Sequence, residues 1–372
     1  MPTRPAVPVT PADIPQEVER ARELVLRYGW NATAFQVVNP GICHWFSKSG
    51  DALIGYVTRA RVRVVAGAPI CAESQVAAVL EEFEADARQC HERVCYFGAA
   101  GRVLAVLGKR AGFSSILLGA QPVWNPQTWA KTVDAVSSLR AQLARARNKG
   151  MTVEEWTANT AHNHPELWRI LREWLQTRTL PPLGFLVEPE TLSRLEERRV
   201  FVGLRGGVPI GFVTCSPIPA RNGWLVEQWV RGADAPNGTT EMMIDRAVRV
   251  LAKDGAAYVT LGLVPLARRT GNPRQDEPLW LRFAFAWVRA HGLRFYNFNG
   301  LENFKSKFRP HDWEPIWAVS DESHFSLRTL YAIAAAFTHG SLIWALLRGA
   351  VKAARQEVKW LRATAKQGFT SR

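Results

Sequence analysis

The sequence predicts an α/β (α+β) protein built in two parts. Three observations carry this. Strand-like and helix-like stretches alternate through both halves of the chain. The endings Lys109-Arg110-Ala111-Gly112-Phe113 and Arg289-Ala290-His291-Gly292-Leu293 each place glycine after a basic last helical turn and before a strand, about 180 residues apart. Finally, 372 residues, 47% of them hydrophobic and 15 of them Trp, exceed one ordinary core and can fill two.

The elements follow in order. Residues 1–15 are proline-rich and lack the apolar centre of a signal peptide, so a disordered lead-in is expected there. A helix over 15–28 stops before Gly29. Strands are expected at 41–47, 52–59 and 61–66, ending at Gly67-Ala68-Pro69. Val76, Val79, Leu80 and Phe83 fall at helical spacing inside a helix over 73–91. A strand at 94–98, a helix at 101–111 and a strand at 115–118 complete the first run. The stretch 139–150 carries Arg140, Arg145, Arg147 and Lys149 and reads as a basic helix, either solvated or in contact with RNA. The second run has helices at 165–176, 239–253 and 280–291, and strands at 199–204, 208–215, 223–230 and 257–261. Domains are accordingly expected at 16–150 and 151–322, with a helical tail at 323–372.

The formal net charge of +14 favours polyanionic partners: nucleic acid, an anionic lipid surface, or both. Five scattered cysteines (Cys43, Cys71, Cys90, Cys95, Cys215) show no metal-ligand spacing and read as reduced thiols of a cytosolic protein. Neither a metal nor a cofactor is expected.

The densest chemistry lies in Tyr296-Asn297-Phe298-Asn299-Gly300-Leu301-Glu302-Asn303-Phe304-Lys305-Ser306-Lys307-Phe308-Arg309-Pro310, closed by Trp313-Glu314-Pro315. A strand-like alternation over 295–298 runs into glycine, and three cations are then packed among aromatics. Such a segment suits phosphate, because the cations bind the anion while the rings fix the loop. The run resembles the signature Gly-Leu-x-x-Phe-Lys-x-Lys-Phe-x-Pro-x-Trp of phosphatidylglycerol lysyltransferases, near the end of their catalytic domain. Leu261-Gly262-Leu263-Val264-Pro265-Leu266 is similar to that family's Leu-Gly-x-x-Pro-Leu element, and segments around Trp45-Phe46, 52–56 and 64–69 look like family segments. The resemblance covers about 35–318. It implies two tandem GNAT-like acyltransferase domains, aminoacyl-tRNA as donor, an anionic phospholipid as acceptor, and a channel between the domains.

One departure concerns specificity. Where the family often carries Asp-Leu-Met-Arg, this chain has Gln228-Trp229-Val230-Arg231, with Glu227 just before it. The arginine is kept and the aspartate is not. Strand alternation would put Glu227 on the opposite face from Gln228. The donor amino acid therefore stays open. Glu227 and Glu241 are candidate bases or amine binders. Arg231, Lys305, Lys307 and Arg309 are candidate contacts to phosphate or carbonyl oxygen. Asn237, Gly238 and Thr239 open a helix whose free N–H groups suit a phosphate or an oxyanion, although Asn237 or Thr239 can equally be a simple cap. The glycine pattern of an acetyl-CoA loop is missing after Arg231.

Residues 330–347 form an 18-residue stretch without Asp, Glu, Lys or Arg, read as helical segments that dock on protein or lie in a membrane interface. Beyond it Arg348, Lys352, Arg355, Lys359, Arg362 and Lys366 recur at helical steps beside an apolar stripe. That pattern is a basic amphipathic helix, suited to the inner surface of the cell membrane. The reading is an aminoacyltransferase. The alternatives are an acyl-CoA-dependent N-acyltransferase, or a non-catalytic lipid- or RNA-binding protein on the same fold.

Overall fold

The structure is a computed structural model and describes residues 16–108, 110–178, 184–267 and 298–338. Helix α1 (Gln16–Tyr28) precedes strands β1 (Cys43–Phe46), β2 (Leu53–Arg59) and β3 (Val62–Ala66). Helix α2 (Val76–Gln89) leads to β4 (Arg93–Ala99), and α3 (Gly101–Leu107) to β5 (Ser114–Trp124). Then come α4 (Trp129–Ala135), α5 (Ser137–Asn148), β6 (Met151–Trp156), α6 (Ala158–Asn163) and α7 (Pro165–Thr177). Strands β7 (Arg199–Arg205), β8 (Val208–Ile218) and β9 (Gly223–Arg231) precede α8 (Thr239–Lys253), β10 (Tyr258–Thr260) and β11 (Val264–Pro265). The described chain closes with α9 (Phe298–Ser306), β12 (Asp312–Ser320) and α10 (Leu327–Phe337).

All twelve strands join one sheet in the order β1-β2-β3-β4-β12-β5-β10-β9-β8-β7-β6, with β11 also on β5. Two pairs are parallel, β3 with β4 and β9 with β10. A parallel pair needs a crossover, and α2 and α8 supply one each. The unit is thus repeated: a three-strand antiparallel meander, a crossover helix, and a parallel strand. Each half buries both faces of its sheet. In the first half Leu53, Val62 and Val64 pack with α1 and α10, while Ile54 and Val65 pack with α2 and α3. In the second half Phe201, Val213 and Val226 pack with α5 and α8, while Val200, Val202 and Phe212 pack with α7. The period of two decides which face each residue serves.

The sheet is continuous through both halves. Strand β12 lies between β4 and β5. Helix α10 adds Ala332 and Ala336 to the first core, and Phe337 meets Phe97 and Phe185 edge-on. Residues 312–337, late in sequence, therefore complete the early half. The expectation that part of 330–347 docks on protein is met by the portion in α10.

Several expectations differ from the structure. The strand foreseen at 115–118 continues as β5 to Trp124, through Gly119 and Pro122, which read as stops. Strand β6 went unrecognised, because on this edge strand Thr152, Glu154 and Glu155 are polar and exposed and leave little apolar alternation. Helix α9 begins at Phe298, the last residue of the strand-like alternation expected over 295–298, and holds Gly300 inside it, while residues 295–297 lie outside the described residues. The helix foreseen at 280–291, the lead-in 1–15 and the cationic stripe Arg348, Lys352, Arg355, Lys359, Arg362 and Lys366 lie outside the described residues. Among the described residues no helix is long and apolar enough to cross a membrane.

Candidate active site

Helix α9 brings the basic motif against β9, β11 and α8. Phe304 and Phe308 stand at i and i+4, and both rings enter the second core. Phe304 packs on Trp229 with ring centroids 5.0 Å apart, and Phe308 stacks on Trp129 at 5.6 Å. The indole of Trp124 donates to the Phe308 carbonyl at 2.8 Å. These anchors carry Lys305 inward, where it is 3% exposed. Its Nζ donates to the carbonyls of Leu261, Gly262 and Leu263 at 2.6, 2.8 and 3.1 Å, with the Trp229 ring centroid 5.5 Å away. All three ammonium protons are used, so Lys305 ties the two most family-like segments together. Burial pulls its pKa down to about 7.

Lys307 lies two residues on and points elsewhere. It pairs with Glu241 in the first turn of α8, donates to the more distant Gln142 Oε1 at 3.4 Å, and sits over the Phe304 ring at 4.2 Å. Two candidate residues thus neutralise each other. Gly238, at the N-cap of α8, has φ +95°, and a Cβ there would lie 2.4 Å from the Gln142 carbonyl oxygen. The glycine is what lets α5 and α8 approach. Thr239 is fully buried, and its hydroxyl donates to the Pro236 carbonyl at 2.7 Å. Asn237 is exposed in the turn before α8.

Strand β9 carries a bulge. Phe212 faces Val230 and Thr214 faces Glu227, so one residue of β8 stands opposite two of β9. Gln228 sits in it with φ +47°. The bulge interrupts the alternation on which the opposite-face argument for Glu227 and Gln228 rested. Gln228 accepts from the Thr191 hydroxyl at 2.6 Å and donates to the Glu188 carbonyl. Glu227 accepts from Gln36 Nε2 at 2.9 Å, from Arg198 Nε at 3.3 Å and from the Ser216 hydroxyl. Arg231 ends β9 exposed, as does Arg309 after α9. No hydrogen bond among the described residues joins Arg231 to Lys305.

A further cluster escaped the sequence reading. Glu314 on β12 accepts from Arg221 at 2.5 and 2.9 Å, from Gln121 at 2.9 Å and from Tyr258 at 3.0 Å. Burial alone would raise its carboxyl, but the bonds from Arg221 and Gln121 outweigh that and hold it below the usual carboxylate range. The Arg221 guanidinium lies over Tyr258 at 3.6 Å and over Trp30 at 4.7 Å. Glu314 stood within the closing Trp-Glu-Pro, but its partners come from 56 to 193 residues away.

Fold and site together define a mixed α/β protein whose two halves share one sheet. The description "Phosphatidylglycerol lysyltransferase, C-terminal" matches residues 22–320, and the chain belongs to that family. A phosphatidylglycerol lysyltransferase of Bacillus subtilis (strain 168) is 27% identical over 280 residues, or 72% of this chain, and the match spans 31% of that relative's length. Among solved structures, the C-terminal domain of a lysylphosphatidylglycerol synthetase from Agrobacterium fabrum has a TM-score of 0.73 at 23% identity, covering 87% of this chain and 98% of its own. L-PGS from Bacillus licheniformis gives 0.70 at 20% identity, covering 85% of this chain and 94% of its own. Both share the fold.

Proposed function

We propose that this chain transfers an aminoacyl group from aminoacyl-tRNA to the hydroxyl of an anionic lipid such as phosphatidylglycerol, on the inner face of the cell membrane. The reading rests above all on the family match over residues 22–320, which spans both halves of the sheet and every residue of the site. The lipid oxygen attacks the ester carbonyl carbon and a new ester bond forms. The bond from that carbon to the tRNA ribose oxygen breaks, and the proton lost by the lipid hydroxyl ends on the ribose oxygen. An aminoacyl ester is already activated, so positioning and stabilisation of the oxyanion supply most of the catalysis.

In this reading the two repeated units are GNAT-like domains in tandem that share one sheet, and the cations Arg348, Lys352, Arg355, Lys359 and Arg362 hold the protein at the membrane. Lys305 shapes the 261–263 turn rather than reaching the substrate. Arg231 and Arg309, exposed at the ends of their elements, take phosphate or carbonyl oxygens. Gln228 in place of the family's aspartate leaves the donor amino acid open, so lysine is one case among several.

The test is a comparison of lipid extracts from cells with and without the chain, by mass spectrometry. An aminoacylated lipid present only with the chain is the expected result. Identical lipid profiles, together with acyl transfer from an acyl-CoA to an amine by the purified protein, would replace this reading with the N-acyltransferase.

A further inference from the structure

The stretch 184–195 lies in sequence between α7 and β7 of the second half, yet it begins inside the first. Phe185 is buried in the first core with Leu186 packed beside it, while Leu192 and Leu195 belong to a core of the second half. At its start the Gly184 amide donates to the carbonyl of Phe337, the last residue of α10, at 3.0 Å. The Phe185 and Phe337 rings meet edge-on with centroids 5.3 Å apart, and Asn39 Nδ2 donates to the Phe185 carbonyl at 3.0 Å. A few residues on, the same stretch meets the β9 bulge. Gln228 donates to the Glu188 carbonyl and accepts from the Thr191 hydroxyl. One short piece of chain therefore ties the C-terminal end of α10 to the bulge.

Both ends of this connection are strained. Phe185 has φ +63° and Gln228 has φ +47°. A left-handed backbone is unfavourable for a residue with a side chain, and it persists only where the surroundings over-determine it. Phe185 is held in it by Phe337, Asn39 and the Gly184 bond, and Gln228 by Glu188 and Thr191. Each set of contacts leans on the other. If Phe337 leaves its seat, Phe185 is free to relax, and Glu188 moves with it away from Gln228. If the bulge relaxes, Glu188 and Thr191 lose their anchor, and Phe185 loses its position under Phe337. We propose that residues 184–191 are a strap that makes the docking of the α10 C-terminus and the shape of the β9 bulge one cooperative event. Helix α10 leads in sequence to the cationic stripe, so a surface that holds the stripe acts on the helix end that the strap grips. The consequence for activity rests on the aminoacyl-transfer reading above: the strap makes the site answer to how the chain is seated at the lipid. Coupling of this kind is reciprocal, so it can be read from either end.

The test is native-state hydrogen exchange of the full chain in rising urea, below the unfolding transition. The amides of 184–191, 226–231 and 333–337 are expected to open together with one urea dependence, and before those of β7. Phe337→Ala, a change in the first half, should speed exchange at 226–231 by about tenfold, the usual size of a coupling between sites, and leave β7 unchanged. Thr191→Val keeps the side-chain shape and removes the hydroxyl that serves Gln228. It should speed exchange at 333–337 to a similar degree. Separate opening of the three segments in the unaltered chain, unchanged exchange at the far end in either folded variant, or an equal rise in β7 overturns the strap. Where a variant does not fold, the unaltered chain decides. Coupled opening in a chain that never aminoacylates lipid would overturn the transfer reading alone. Lipid aminoacylation by a chain whose three segments open separately would overturn the strap alone.

Discussion

Below about pH 7 Lys305 spends all three of its protons on backbone carbonyls, and above that the neutral amine keeps two of them. Burial lowers its pKa from an ordinary 10.5 to about 7. Between those values the unfolded chain holds a proton that the folded chain has released. Unfolding takes up that proton, so raising the pH through this window favours the folded state, by up to about 1.4 kcal/mol per pH unit. Lys305→Met removes the group. Urea unfolding at pH 7.5, 8.5 and 9.5 should show the original chain gaining on Lys305→Met as pH rises, and parallel curves would contradict the assignment. Lys305 and Lys307 stood out in the sequence by residue type and spacing. Their separate roles were not legible, because Leu261 and Glu241 lie 44 and 66 residues away. Gln36 and Arg198 carry no local signal at all, and only the fold makes them neighbours of Glu227.

At the scale of elements, two tight places fix the site. Gln228 holds a left-handed backbone in the β9 bulge, and a β-branched side chain there clashes with its own carbonyl. Gln228→Val should cost at least about 1–2 kcal/mol by the backbone alone, and more through its two lost hydrogen bonds. Gly238→Ala forces a Cβ against the Gln142 carbonyl, separates α5 from α8 and loosens the Glu241–Lys307 pair. Thermal melting should place it at least about 2 kcal/mol below the original chain. An unchanged melting temperature would mean that α5 does not press on α8. Meanders and crossover helices were legible, since period-2 and period-3.6 patterns mark them in a single sequence. The bulge, the length of β5 and the helical state of α9 were not. Gly119, Pro122 and Gly300 are ordinary breakers, overruled here by sheet pairing and by the packing of Phe304 and Phe308.

Across the whole molecule, late residues complete the early half, through β12 in mid-sheet and α10 on its face. A cut before residue 312 should leave a chain that does not fold, and circular dichroism would reveal this. A cut after Thr338 keeps β12, α10 and the buried Glu322, which accepts from Thr329 at 2.6 Å. It removes the cationic stripe, whose members each contribute about 1 kcal/mol near an anionic surface. The shortened chain should fold normally but fail to sediment with phosphatidylglycerol vesicles. The full chain should lose its binding as salt shortens the screening length below about 8 Å. Vesicle binding by the shortened chain equal to that of the full chain would place the lipid contact elsewhere.

The central claim is aminoacyl transfer, and it is met most directly by reconstitution. Purified full chain is mixed with phosphatidylglycerol vesicles and with tRNA charged in turn with each radiolabelled amino acid, and label in the lipid phase is counted. The account predicts label in lipid from at least one charged tRNA, lost when free amino acid replaces the charged tRNA. No label from any charged tRNA, with folded protein bound to the vesicles, would contradict it.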